Sequence, residues 1–131
     1  MLLLDNELLT IAEEEGIVML TFKSEIVNLE TALKISEHRK IATLGMTYPM
    51  LTNITSVKNS TKEARDFFAA GKHCDEIRAS AILINSIVGS MIGNFFILIN
   101  KPAKPTKLFT NEYEAKKWLA TYKIFQLETV S

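Results

Sequence analysis

Residues 79–99 carry no charged side chain over 21 positions, and this run constrains the rest of the chain more than any other feature. About 20 apolar residues in a row can span a bilayer, so the first choice is between a membrane helix and a buried core. The run contains Ser80, Asn85, Ser86, Ser90 and Asn94, with Gly89 and Gly93 in its second half. Its first part, 79–84, reads as a short buried strand. A strand followed by a helix cannot cross lipid as one rod, because the backbone between them would be left unpaired in hydrocarbon. The expectation is therefore a strand over 77–84, a helix over 87–99, and a protein that is not an integral membrane protein. Met1-Leu2-Leu3-Leu4 is also apolar, but Asp5 and Glu7 follow and no basic residue precedes it. A signal peptide has the reverse charge order. A cytoplasmic protein is expected.

The chain has 131 residues, enough for one domain of ordinary size, and 47% of them are hydrophobic, enough to form a core. Fifteen Lys and Arg balance fifteen Asp and Glu. That balance excludes nucleic acid as the main partner, since gripping phosphates selects for net positive charge. A single cysteine, Cys74, excludes an intrachain disulfide framework.

No repeat or flexible linker divides the sequence, so residues 1–131 are read as a single domain. Residues 8–13 and 17–23 are strand-like, and the Gly16 between them suits an antiparallel hairpin. Asn28 is placed to cap a helix over 29–44, with Leu29, Ala32, Leu33 and Ser36 as its inner stripe and Gly45 as its stop. Pro49 opens a strand over 50–55. Ser60-Thr61-Lys62-Glu63 has capping-box spacing, with Ser60 as the cap. The helix after it aligns Ala64, Phe67, Phe68 and Gly71 on one face. Following the uncharged run, residues 106–110 form a short strand. Asn111 caps a last helix whose stripe is Ala115, Trp118, Leu119 and Tyr122; the pattern leaves the segment from 124 onward unassigned. The order is β-β-α-β-α-β-α-β-α. It implies an α/β fold with a small mixed β-sheet, an N-terminal hairpin followed by parallel strands and alternating helices.

This order resembles the anti-sigma-factor-antagonist superfamily, the SpoIIAA-like or STAS domains. The second half, through Gly93-Asn94-Phe95-Phe96, Asn100-Lys101-Pro102, Pro105-Thr106, Leu108-Phe109-Thr110, Glu114-Ala115 and Trp118-Leu119, resembles an uncharacterised bacterial subgroup of that fold. The resemblance covers residues 82–119 by motif and the first half by element order only. It implies a regulatory protein-interaction domain whose loop before the second helix carries a serine phosphorylated by a partner kinase. By element order that loop holds Lys58, Asn59, Ser60, Thr61 and Lys62, with Ser60 or Thr61 in the acceptor position. The family pattern has an acidic residue, two serines and a glycine there; Asn59, Ser60, Thr61 and Lys62 depart from it. A phosphate at a helix N-terminus is favoured by free N–H groups and the helix dipole, while capping alone also explains a serine at that place.

No set of residues converges on catalysis. His73-Cys74-Asp75-Glu76 lines up four reactive side chains, but zinc sites bring paired ligands from two places. His38, the other histidine, lies beside Arg39 and Lys40, which repel a metal. No metal or cofactor is expected. Glu13-Glu14-Glu15 occupies the hairpin turn and reads as a solvated cluster, and Gly89 and Gly93 fit no phosphate-binding loop. Lys101, Lys104 and Lys107 give one loop positive charge, read as a stiff solvated connection.

The helix expected over 87–99 has few positions left for a solvated face. Met91, Ile92, Phe95 and Phe96 are candidates for an apolar interface or ligand contact, unless neighbouring elements cover them. A homodimer through this helix is the first choice of partner there. A small lipid-like ligand held between this helix and the sheet is the alternative, and would make the protein a carrier or sensor.

Overall fold

The computed structural model describes residues 1–70, 75–84 and 103–130. Along the chain it places β1 (Leu2–Asp5), β2 (Leu9–Glu14), β3 (Ile17–Phe22), β4 (Ile26–Val27), α1 (Leu29–Ala42), β5 (Tyr48–Asn53), β6 (Asn59–Ser60), α2 (Lys62–Ala70), β7 (Ile77–Leu83), β8 (Thr106–Phe109) and α3 (Glu112–Val130). The main sheet has six strands in the order β1-β2-β3-β5-β7-β8, and β4 pairs with β6 in a second, two-stranded sheet. Pairing is antiparallel from β1 to β3 and parallel from β3 to β8. The mixed α/β expectation holds, with the sheet widened by β1, whose short apolar run carries no strand signal of its own.

The hairpin between β2 and β3 is as tight as a hairpin can be. Glu14 pairs with Ile17, so Glu15 and Gly16 alone turn the chain, at φ 54° and 83°. Two positive φ values match the right-handed twist of the flanking strands. Glu13 accepts the Gly16 N–H at 2.9 Å, and Lys123 from α3 donates to the Glu15 carbonyl at 2.5 Å. A Cβ on Gly16 would stand 2.7 Å from Lys123 Cδ, whereas Gly45, at φ 82°, has open space around it. Gly16→Ala is therefore expected to cost about 1–2 kcal/mol from the left-handed backbone plus displacement of Lys123. Gly45→Ala should cost the backbone part alone. Urea denaturation of both variants checks the order.

Two cores lie on the two sides of the sheet. Leu9, Ile11, Val18, Leu20 and Phe22 meet Ala32 and Ile35 of α1 and Ala64 of α2. On the other side Ile17, Leu51, Ala79, Ala81 and Leu83 meet Ala115 and Leu119 of α3. Alternation along β3 divides it between both cores, as the period of two requires. The small side chains of Ala79, Ala81 and Ala115 let α3 approach β7 closely. Residues 79–83 of the uncharged run thus belong to β7, an inner strand that also holds Arg78; Ala79, Ala81, Ile82 and Leu83 are buried between the two layers, which is why these positions carry no charge. Among the described residues no helix is long and apolar enough to cross a membrane.

Several expectations at element ends need correcting. Pro49 lies inside β5 and not ahead of it. The β5–β7 register shifts between Tyr48 and Met50, and β3 pairs only from Met50 onward, so the missing N–H interrupts no ladder bond. Helix α1 ends at Ala42, two residues early, with Asn28 capping it as expected through the Thr31 N–H at 2.9 Å. Its inner stripe is Ala32, Ile35, Ser36 and Arg39, while Leu29 and Leu33 are exposed. A buried arginine rotates the helix away from the orientation that its leucines suggest. The final helix follows its expected stripe. Asn111 caps it through the Glu114 N–H at 3.0 Å, and the helix continues through the segment from 124 that the pattern left open.

Candidate functional site

The loops leaving β3 and β5 emerge at the C-terminal ends of the parallel strands, where open α/β sheets place their working loops. They are strapped together there by the β4–β6 ladder, in which Ile26 faces Asn59 and Val27 faces Ser60. The Glu25 carbonyl accepts the N–H groups of Lys58 at 2.7 Å and Asn59 at 3.1 Å, and the Val27 carbonyl accepts that of Thr61 at 3.0 Å. Val57, buried in the first core, anchors the loop from below. The backbone of 58–62 is therefore held on two sides, while Lys58 and Lys62 stand out in solvent. Their ion pairs, Lys58 with Glu25 at 3.5 Å and Lys62 with Asp66 at 2.7 Å, are exposed and contribute little to stability.

The five residues singled out for this loop are contiguous in space, but two of them exchange roles. Thr61, not Ser60, caps α2: its Oγ1 accepts the Ala64 N–H at 3.2 Å. Ser60 belongs to β6, and its N–H goes to Asn59 Oδ1 at 2.8 Å. One nitrogen of Arg65 donates to both the Ser60 carbonyl, at 2.7 Å, and the Ser60 hydroxyl, at 3.1 Å. Pattern reading missed Arg65. Its signal is an arginine near a helix N-terminus, where the dipole disfavours positive charge unless an oxygen holds it. The result is a hydroxyl on a fixed backbone, beside a guanidinium and the first turn of a helix.

The opposite end of the sheet holds a buried polar cluster. Arg39 is 3% exposed; it donates to the Tyr48 hydroxyl at 2.8 Å and to the Glu76 carboxylate. Thr43 Oγ1 donates to the Arg39 carbonyl at 2.8 Å and lies 2.9 Å from the same tyrosine hydroxyl. Burial pushes the Tyr48 hydroxyl up, outweighing its hydrogen bonds with Thr43 and Arg39, so it stays neutral. Burial also raises the Glu76 carboxyl, but the Arg39 bond, a backbone bond and the charges of Arg39 and Lys40 together hold it below the usual glutamate range. Glu76 is thus the anchor of α1 onto the starts of β5 and β7. His38 is engaged as well, its Nδ1 lying 3.0 Å from Asn6 Nδ2. Asn6 Oδ1 meanwhile accepts the Leu8 and Leu9 N–H groups. His73 and Cys74 lie outside the described residues, as do Met91, Ile92, Phe95, Phe96, Gly89, Gly93 and Lys101. Lys107, expected in a lysine-bearing loop, lies instead within β8, opposite Ala81, with its Nζ 5.4 Å from the Phe109 ring centre.

The motif residues within the described part form a packing device between β8 and α3. The rings of Phe109 and Trp118 are 5.7 Å apart, and those of Trp118 and Tyr122 are 5.2 Å apart, edge to face. Leu119 beside them is fully buried. Residues 11–123 match the model of a family described as a domain of unknown function, DUF7793. The chain belongs to the DUF7793 family. No functionally curated protein matches this DUF7793 chain. Among solved structures, an uncharacterised protein of the DUF3478 family from Shewanella loihica PV-4, described as having a SpoIIAA-like fold, superposes with a TM-score of 0.60. It is 18% identical, over 85% of this chain and 91% of the other. A protein with unknown function from Arthrobacter sp. FB24 is 28% identical over 84% of this chain and 97% of the other, with a TM-score of 0.34. The Shewanella match shows the fold: this DUF7793 domain is SpoIIAA-like.

Proposed function

We propose that the domain is a regulatory module of STAS type that works by protein contact and not by catalysis, with residues 58–62 as its contact surface and Ser60 as its switch. The observation that carries this reading is the double hydrogen bond from Arg65 to Ser60 on a loop whose backbone is pinned and whose lysines are exposed. A binding surface gains from such pre-organisation, since little ordering entropy remains to be lost when a partner docks. The SpoIIAA-like fold supports the same placement.

Phosphorylation of Ser60 would add close to two negative charges beside Arg65 and the α2 N-terminus, which stabilise it where it stands. Thr61 is the poorer acceptor, because its hydroxyl oxygen holds the first turn of α2, whereas that of Ser60 faces a guanidinium that a phosphate would pair with. Phosphopeptide mapping of the protein isolated from its own cells should place the modification on Ser60. A map showing Thr61 modified, or neither residue under any growth condition, would remove the switch.

A further inference from the structure

Helix α1 is apolar on two sides. Ala32 and Ile35 face the sheet, yet Leu33 is 48% and Ile41 66% exposed, and Leu44, just past the C-cap Thr43, is 87% exposed. With 3.6 residues per turn, Leu33 and Ile41 lie roughly 80° apart around the helix with Glu37 between them. Leu33 and Ile41 also line a shallow groove of about 280 Å³ with Phe67 of α2, edged by Glu37 and Lys40. Exposed aliphatic side chains beside an apolar groove, with charged groups among them, are the composition of an interface core and its rim.

We propose that the outer side of α1 is a two-fold interface with a second copy of this chain, the two helices lying antiparallel. The charges select this occupant. Glu30 and Lys34 already pair within the helix at 3.2 Å. That leaves Glu37 and Lys40, about one turn apart between Leu33 and Ile41, with Lys40 also adding to the positive charge near Glu76. An antiparallel two-fold sets Glu37 of one copy beside Lys40 of the other, twice, and opposes the two helix dipoles. A parallel arrangement would set like against like. Acids and bases are equal in number along this side of α1, so it offers no net attraction to an anionic membrane or a polyanion. A few aliphatic side chains cover less than the roughly 800 Å² per partner of a standard interface, so the dimer is weak and concentration-dependent. It also leaves the proposed contact loop free, because β4 leads directly into the N-terminus of α1 and the loops fall at opposite ends of the helix pair.

Sedimentation velocity from low to high micromolar protein tests this, with circular dichroism confirming that each variant is folded. The wild type should shift from monomer to dimer. Leu33→Glu, and separately Glu37→Lys or Lys40→Glu, should weaken association at least about tenfold. The combined exchange of Glu37→Lys with Lys40→Glu should restore it. A monomer at every concentration overturns the proposal. So does a dimer indifferent to these changes, or one not recovered by the double exchange. Stripe-dependent binding of the wild type to anionic vesicles, without self-association, overturns it in favour of a lipid surface.

Discussion

Glu76→Ala lowers the unfolding free energy by about 3 kcal/mol, the low end for breaking a buried ion pair, because it strands a charge that the fold has taken out of water. Arg39 keeps only 4% of its side-chain surface, while Glu76 keeps 23%. The two halves of the pair are therefore unequal. Arg39→Met removes the buried charge itself, fills most of the same volume and lets Glu76 turn to solvent. It should cost about 1–2 kcal/mol, mostly in lost hydrogen bonds to Tyr48 and Glu76. Urea denaturation of both variants reads the order directly. Arg39→Met proving the more damaging of the two would mean that the arginine acts as packing and not as a charge needing its partner.

The same pair predicts the response to acid. The Glu76 carboxyl in the folded protein lies below its ordinary value, so the unfolded chain takes up the proton first as pH falls. Its contribution is therefore complete above the ordinary glutamate pKa of about 4.3 and is lost as pH drops through the lower, folded value. Asp5, held down by its bond from Lys23, acts in the same direction. Comparison with Glu76→Gln isolates Glu76. The variant should show a flatter loss of stability below about pH 5 than the wild type.

Arg39 sits between His38 and Lys40, and three basic residues at the end of a helix read as a solvated turn facing the helix dipole. Only the tertiary approach of Tyr48 and Glu76 makes the arginine an interior residue. Leu29 and Leu33 then misdirect the helix, since hydrophobic periodicity assumes that the interior is apolar. By contrast, Asn28 and Asn111 announce their helices correctly, because a cap is a local bond between a side chain and a backbone N–H three residues away. The Glu15-Gly16 turn is legible for the same reason. At the candidate site, element order finds the loop, but the roles of Ser60 and Thr61 depend on β6. That two-residue strand exists only because β4 lies beside it, and no pattern in Asn59-Ser60 signals it.

Ser60→Glu should reduce capture of the partner at least about tenfold, through repulsion or through misfit at a pre-ordered surface, while leaving the fold intact. The fold survives because a carboxylate at that position meets Arg65 and the first turn of α2. Thr61→Glu should also disturb capture. It removes the threonine cap too, so its effect is mixed with a stability loss of about 1 kcal/mol. Ser60 is the cleaner probe.

Affinity capture from the protein's own cells should therefore compare the wild type, Ser60→Glu and Lys117→Glu. Lys117 is exposed on α3, across the sheet from the contact loop, and its reversal changes charge without touching that surface. The predicted result is a protein retained by the wild type and by Lys117→Glu and lost from Ser60→Glu, with all three domains equally folded. Retention of the same proteins by all three would contradict a contact surface at residues 58–62.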